Sequence, residues 1–472
     1  VGAALVWFRR DLRLDDNPAL QAALRTGLPV VCAYIHAPDE EAPWTPGAAT
    51  RWWLHHSLAA LDADLRARGA SLVIRHGHTA TAIESLCKEA GATHVFWNRL
   101  YDPALTARDS TLKPRWRAAG LEADSFKAHV LFEPWEIATG AGDPYRVFTP
   151  FWRNARARLD AIDPPSAPAR IPGLDGLSSV PLETLALLPK IRWDTAFPAH
   201  WRPGEAGAHE LLDAFIDGAL AGYDAGRDLP DRVGTSRLSP HLHFGEISPR
   251  RILRVLAARG VLARAEGFVR ELGWREFGHH LLFHFPRTSE HPLNPQFEDF
   301  PWNDDDHGHL AAWQHGRTGI PIVDAGMREL WTTGWMHNRV RMVVASFLTK
   351  NLRLHWLHGA RWFWDTLVDA DLPNNTQGWQ WTAGSGADAA PYFRIFNPVS
   401  QGERFDPEGR YVKRWVPELA RVPAKAVHQP WILKSAERAA VGLAGDAYPA
   451  PIVDLKESRE AALGAYQRMR GR

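Results

Sequence analysis

Four short apolar runs near the start constrain this chain most. They are ALVWF (4–8), PVVCAYI (29–35), SLVIRHG (71–77) and HVFWN (94–98). Each is short, rich in β-branched and aromatic residues, and centred on an apolar run, as a strand buried on both faces is. Helical spacing intervenes. Leu54, Leu58, Leu61 and Leu65 share one helical face, and Gly69 follows as a stop. Strand, helix, strand repeated this way predicts an α/β domain over residues 1–135, an open, Rossmann-like parallel sheet. No GxGxxG follows the first strand, so no nicotinamide dinucleotide site is expected there.

A chain of 472 residues is too long for one hydrophobic core. The pattern changes at about residue 136. Residues 136–205 read as an interdomain connector, and the stretch from 156 is dense in Pro, Gly and Ser. Its apolar content predicts an extended segment lying along a surface. From 206 to 472 the periodicity is helical, and an all-α domain is expected. Ser239-Pro240 and Ser248-Pro249 each read as an N-cap followed by Pro. No internal repeat is visible.

Several classes drop out. Lys plus Arg is 55 against 54 for Asp plus Glu, so net charge neither advertises nor excludes a polyanion. Two cysteines, Cys32 and Cys87, make no disulfide framework or zinc quartet and read as buried thiols. HExxH and Walker A motifs are absent. The first residues lack the order of a signal peptide, and no run of about 18 apolar residues exists. A cytoplasmic protein with no membrane partner is expected.

The chain carries 22 Trp, nine of them between Trp302 and Trp381, among four segments with chemical character. In GTSRLSPHLHFGEISP (234–249), Thr235, Ser236 and Ser239 surround Arg237 before a helix start. That suits a phosphate, or an ordinary capped turn. Glu271, Trp274, Arg275 and His279 are spaced as helix neighbours, lining either a cleft or a core. Trp335, Asn338, Arg339, Arg341 and Met342 precede an apolar helix, and His337 reads as structural. Asp369 and Asp371 form an acid–base pair, loop caps, or partners of Arg341.

Taken in order, TSRLSPHLHFGEIS, WREF, TGWMHNRVRM, DADL, GWQW and DAAPYFRIFNP resemble the flavin domain of the photolyase/cryptochrome family. LVWFRRDLRLDDNPAL extends the resemblance to the start, so it spans nearly the whole chain. It implies FAD held by a helical domain. Tyr223 and Thr235, Ser236, Arg237, Leu238 and Ser239 would hold its phosphates. Arg275, Asn338, Arg341, Asp369, Asp371 and Asn375 would line the ring and ribityl chain, with Asn375 at flavin N5 and Asp369 paired to Arg341.

For substrate, the resemblance implies UV-damaged DNA with the lesion flipped out. Trp381 and Trp274 would stack on it, Glu271 and Asn338 would bond its base edges, and Met342 would lie against it. Arg339 and Arg394 are candidates for DNA phosphates. Trp379, Trp356 and Trp302 would form an electron-transfer chain. Photoexcited FADH⁻ would open a cyclobutane pyrimidine dimer, making the chain a deoxyribodipyrimidine photo-lyase. Enzymes for the (6-4) photoproduct carry His where Met342 stands, which argues for the cyclobutane class. NNTQGW departs from the commonest bacterial spelling, while the spacing from Asp371 to Trp379 is kept. The alternatives are a (6-4) enzyme or a blue-light cryptochrome; many cryptochromes carry a long C-terminal extension, whereas this sequence closes on the helical pattern DLKESREAALGAYQRMRGR. The alternatives for the antenna are methenyltetrahydrofolate, favoured over a deazaflavin, and no antenna at all; WNRLYDPALTARD (97–109) does not match a folate pattern. A monomer is expected.

Overall fold

The computed structural model of the protein describes residues 2–159, 163–305, 307–388 and 393–471. They form two compact units. The first gathers Val1–Ala221, Ser236–Pro286 and Val368–Pro373; the second gathers Gly222–Thr235, Arg287–Leu367 and Asn374–Arg472.

The first unit holds a five-stranded sheet: β1 (Ala3–Phe8), β2 (Val30–His36), β3 (Leu72–His76), β4 (Ala92–Asn98) and β5 (Glu122–Phe126). Its order is β3-β2-β1-β4-β5, and every pairing is parallel. All residues of β1 and β2 are buried, as their apolar runs require. The four expected strands are present. β5 was not expected, because EADSF at the sheet edge has no apolar run; pairing to β4 recruits it. Helices Pro18–Arg25, Ala48–Arg66, Thr79–Ala90 and Pro103–Ala118 make the crossovers. The leucine-faced helix ends at Arg66 with Ala67 as its cap, so Gly69 (φ +91) serves the turn beyond it rather than the stop itself.

In such sheets a ligand crevice opens where the strand order reverses, here between β1 and β4. Side chains bridge it. Asn98 Nδ2 donates to Asp11 Oδ2 (2.6 Å) and Asn17 Oδ1 (2.8 Å), and Asn17 also caps the Pro18–Arg25 helix.

The stretch expected as a connector, 136–205, falls within the first unit, and residues 171–180 of it run beside the sheet. Ile171 N donates to Arg68 O (2.8 Å), Leu174 N to Val30 O (3.3 Å) and Val180 N to Ile74 O (3.0 Å). Two short 3-10 turns, Leu182–Leu185 and Phe197–Ala199, interrupt it. Its early part forms a helix, Phe148–Ala157. Cys32 and Cys87 are buried, and burial pushes both thiols up to about 12.

Among the described residues, the chain from 206 onward carries helices and no strand. In the second unit, Phe297, Phe300 and Phe393 pack against Ala462 and Ala465 of the Leu455–Arg470 helix. No described helix is long and apolar enough to cross a membrane.

Candidate functional site

In the first unit the Glu266–His284 helix carries Glu271, Trp274, Arg275 and His279. Trp274 lies face to face with Phe148, ring centroids 3.6 Å apart and planes 10° off parallel. Arg275 is buried and donates through Nη1 to His129 O (2.9 Å), while its Nη2 has no partner among the described residues. Beside it, Glu276 accepts from Leu131 N (2.8 Å) and Phe132 N (3.2 Å), and burial raises its carboxyl to about 7. Glu271 is half-buried.

Both carboxylates of DADL belong to the same unit. Asp369 Oδ2 accepts from Ser239 Oγ at 2.6 Å. This corrects the reading of Ser239 as an N-cap. Ser239 is the first residue of a five-residue helix, Ser239–His243, whose cap position is Leu238 without a side-chain bond. Its hydroxyl reaches across 130 residues of sequence to Asp369 instead. Ser248 does cap its helix, accepting from Arg251 N at 2.9 Å. Asp371 lies 3.4 Å from His243 Nδ1. Burial penalises its charge, but His243, His279 and Arg275 outweigh that and hold the carboxyl well below the usual range. Arg237 takes a left-handed backbone (φ +54), with its guanidinium 4.4 Å over the Trp201 ring. Leu238 is buried and donates its N–H to Ser236 Oγ at 3.4 Å.

In the second unit, helix Asn338–Ser346 starts at His337, whose ring accepts from Arg339 N (3.2 Å). His337 thus caps the helix. Asn338 is exposed, and Met342, one turn on, is half-buried. Arg339 pairs with Asp228 at 2.9 Å and lies 4.4 Å over Phe405. Arg341 Nε donates to Met336 O (2.7 Å). Tyr223 is buried and packs against the Arg227 guanidinium at 5.4 Å. Thr235 is half-buried.

The helix then takes a π-turn, Phe347–Asn351. It buries Lys350, whose Nζ donates to Ala383 O (2.7 Å) and sits 3.0 Å from the Phe393 ring centroid. Burial pushes this amine well below its usual range. Ala383 ends the Leu372–Ala383 helix, which carries Asn375, Trp379 and Trp381. Asn375 Nδ2 donates to Ala360 O (3.0 Å), which leaves its amide oxygen as an acceptor.

Trp379 is buried, with Phe363 at 5.0 Å and Trp313 at 6.1 Å. Gly359 abuts its benzo edge, where any Cβ would overlap the ring. Gly359 and Phe363 share a helix face with Trp356, the first residue of Trp356–Thr366. The His355 ring lies 5.8 Å from Trp356 and 5.1 Å from Trp302. Trp381 is half-buried and borders a small cavity with Lys350, Phe393 and Arg394. Residues 389–392 of the DAAPYFRIFNP segment lie outside the described residues.

Gln380, between the two indoles, escaped the sequence reading. It is fully buried, accepts from Leu293 N (2.8 Å) and donates to Thr288 O (2.7 Å) and His291 O (2.8 Å). Lys350 and Gly359 also went unremarked. A lysine inside an apolar helix, and a glycine one turn after Trp356, were the available signals.

Comparison with known proteins fits this layout. Residues 4–170 match the DNA photolyase family and residues 268–468 match the FAD binding domain of DNA photolyase. The deoxyribodipyrimidine photo-lyase of Agrobacterium fabrum is 49% identical, the match covering 98% of this chain and 97% of that one. Cryptochrome-1 of Arabidopsis thaliana is 40% identical over 97% of this chain and 69% of its own. The crystal structure of a class III photolyase from Agrobacterium tumefaciens superposes with a TM-score of 0.96 at 46% identity, covering 100% of this chain and 98% of that one. With an FAD-binding domain and these matches over nearly its whole length, the chain belongs to the photolyase/cryptochrome family.

Proposed function

We propose that this protein repairs cyclobutane pyrimidine dimers in DNA under light, by electron transfer from reduced FAD. One observation carries the choice of lesion. Of the four methionines, Met327, Met336 and Met469 are buried, and Met342 alone reaches the surface. It lies on the same helix face as exposed Asn338, four residues before it. A thioether there offers apolar, polarisable surface to a pyrimidine pair and no proton.

The residues suit a flavin nucleotide. Arg275 presents a buried, unpartnered Nη2 donor, the kind of group that a bound anion or carbonyl satisfies. Asp371 stays ionised and Asn375 offers an oxygen acceptor. Reduced FAD, when bound and excited, supplies one electron to the lesion and receives it back. The chain's own groups bind and orient. Trp274 and Trp381 stack on the flipped-out bases, Glu271 and Asn338 bond their edges, and Arg339 and Arg394 meet phosphates. Extrusion of a pair costs about a few kcal/mol in base-flipping enzymes generally, least for a poorly stacked lesion. Trp379, Trp356 and Trp302 would relay single electrons towards an oxidised flavin from an external reductant.

For an antenna, methenyltetrahydrofolate ahead of a deazaflavin, the candidate place is a cavity of about 580 Å³ bordered by Tyr101, Lys113, Arg117, Trp135 and Phe283. Trp135 is 51% exposed there, a stacking face for a pterin.

The test is repair itself. Reduced protein is mixed with UV-irradiated oligothymidylate and illuminated, and absorbance at the thymine band is followed against a dark control. Light-dependent recovery supports the reading. No recovery, with FAD bound and photoreducible, would redirect it to a (6-4) enzyme or to a photoreceptor, the reading that the 40% identity to Cryptochrome-1 favours.

A further inference from the structure

We infer that Phe148, in the connector, is a positioning residue for damaged DNA: it backs the Trp274 indole and fixes the plane on which a flipped base stacks. The inference rests on the repair reading above and extends it to a segment with no assigned role.

Aromatic pairs prefer offset or edge-on contact to direct face-to-face stacking. Phe148 and Trp274 nevertheless stack almost directly face to face, centroids 3.6 Å apart and planes 10° off parallel. The arrangement is built from both sides. Trp152, one turn along the Phe148–Ala157 helix, lies parallel to Phe148 (6.3 Å, 8°). Phe277 meets Phe148 at 5.8 Å and Trp274 at 6.0 Å, edge-on to each. Gly273 lets the two helices approach, since a Cβ there would sit 2.5 Å from Trp152 Cε3. Tyr145 N donates to His280 Nε2 (3.0 Å), and Arg156 pairs with Glu266 (3.1 Å), so the connector is tied to the Glu266–His284 helix at both ends of the stack.

Phe148 is fully buried, while Trp274 keeps part of its surface open. One indole face is therefore spent on Phe148, and a base can use only what remains. A ring held in one plane before binding loses less freedom when a base stacks on it. Phe148 contributes that rigidity without touching the base.

The experiment compares Phe148→Leu, which keeps apolar bulk but loses the plane, with Phe148→Tyr, which keeps the ring. Three quantities are measured on each full-length, FAD-loaded protein: photoreduction rate, affinity for an oligonucleotide with one thymine dimer, and affinity for the undamaged oligonucleotide. Expected is a loss of about tenfold in dimer affinity for Phe148→Leu, within the range of one stacking interaction. Phe148→Tyr should bind as wild type, and photoreduction and undamaged-DNA affinity should not move. A leucine variant that binds the dimer normally overturns the proposal. Trp274→Ala separates the two readings. If it loses dimer affinity while Phe148→Leu does not, only the role of Phe148 fails. If the wild-type protein itself does not prefer dimer-containing DNA, the repair reading fails and takes this one with it. Should Phe148→Leu lose FAD, the fluorine spectrum of 5-fluorotryptophan-labelled wild type decides. The Trp274 resonance, assigned by its absence in Trp274→Phe, should be single and strongly ring-shifted before DNA is added. An unshifted, averaged resonance overturns the proposal.

Discussion

Gly359 and Trp379 meet with no side chain between them: the benzo edge of the indole rests on the glycine, where a Cβ would overlap Cη2, Cζ3 and Cζ2. Phe363 and Trp313 close the slot. Gly359→Ala must displace the ring, and overpacking of this kind costs about 1–3 kcal/mol. The urea midpoint should fall and flavin photoreduction should slow together. An unchanged midpoint would mean that the slot is slack.

Trp379→Phe removes the oxidisable indole and keeps an aromatic ring in the same slot. Photoreduction of oxidised FAD should slow strongly, whereas repair by chemically pre-reduced protein should stay close to wild type. Normal photoreduction would take Trp379, and with it Trp356 and Trp302, out of the electron path.

Trp381 borders the open cavity rather than the core. Trp381→Ala should leave FAD bound and lower dimer affinity by about 1–3 kcal/mol, the value of one base stacked on an aromatic. A binding isotherm on dimer-containing DNA checks this, and unchanged affinity would remove Trp381 from the pocket.

Gln380 satisfies three backbone groups with one buried amide. Gln380→Met fills the space and leaves Leu293 N, Thr288 O and His291 O without that partner. Only the Thr288 contact is fully buried, and an unmade buried hydrogen bond costs about 1–3 kcal/mol, so a loss in that range is expected. Equilibrium denaturation measures it. A loss below the error of that measurement would show that water replaces the amide.

His280 titrates against folding. Its Nε2 accepts from Tyr145 N and its Nδ1 donates to Pro134 O, so only the neutral ring fits. Burial lowers its pKa to about 4. The unfolded ring takes up a proton near its ordinary value of about 6.5. Between those values the unfolded chain binds more protons, so stability is complete above about 6.5 and is lost as pH falls towards 4. The loss tends to about 3 kcal/mol at the lower end. Unfolding free energies at pH 7.5 and 5 should differ less in His280→Gln than in wild type; equal differences would assign the acid sensitivity elsewhere.

The sheet was legible because burial on both faces demands continuous apolar runs, and β1 to β4 have them. β5 was not, because an edge strand can be polar and its pairing is decided by a neighbour 24 or more residues away. The helix carrying Glu271, Trp274 and Arg275 was legible from spacing alone. Ser239 was misread because a Ser-Pro pair looks the same at the cap and one residue later. Only the approach of Asp369, 130 residues on, distinguishes them. Phe148, Lys350, Gly359 and Gln380 went unread for a related reason. Each acts through a partner on another element; the odd lysine and glycine could be noticed in the sequence, but the neighbour that each holds could not.

The first unit draws on three stretches of chain, the last of them ending at Pro373. During synthesis the five strands are complete once Phe126 has emerged, yet the helix that Phe148 packs against is still more than a hundred residues from being made. The sheet is therefore complete before the Ser236–Pro286 and Val368–Pro373 segments of its unit exist, and no cut at 135, 205 or 221 includes all of that unit. A unit assembled from separated segments resists division of the chain into separately expressed halves.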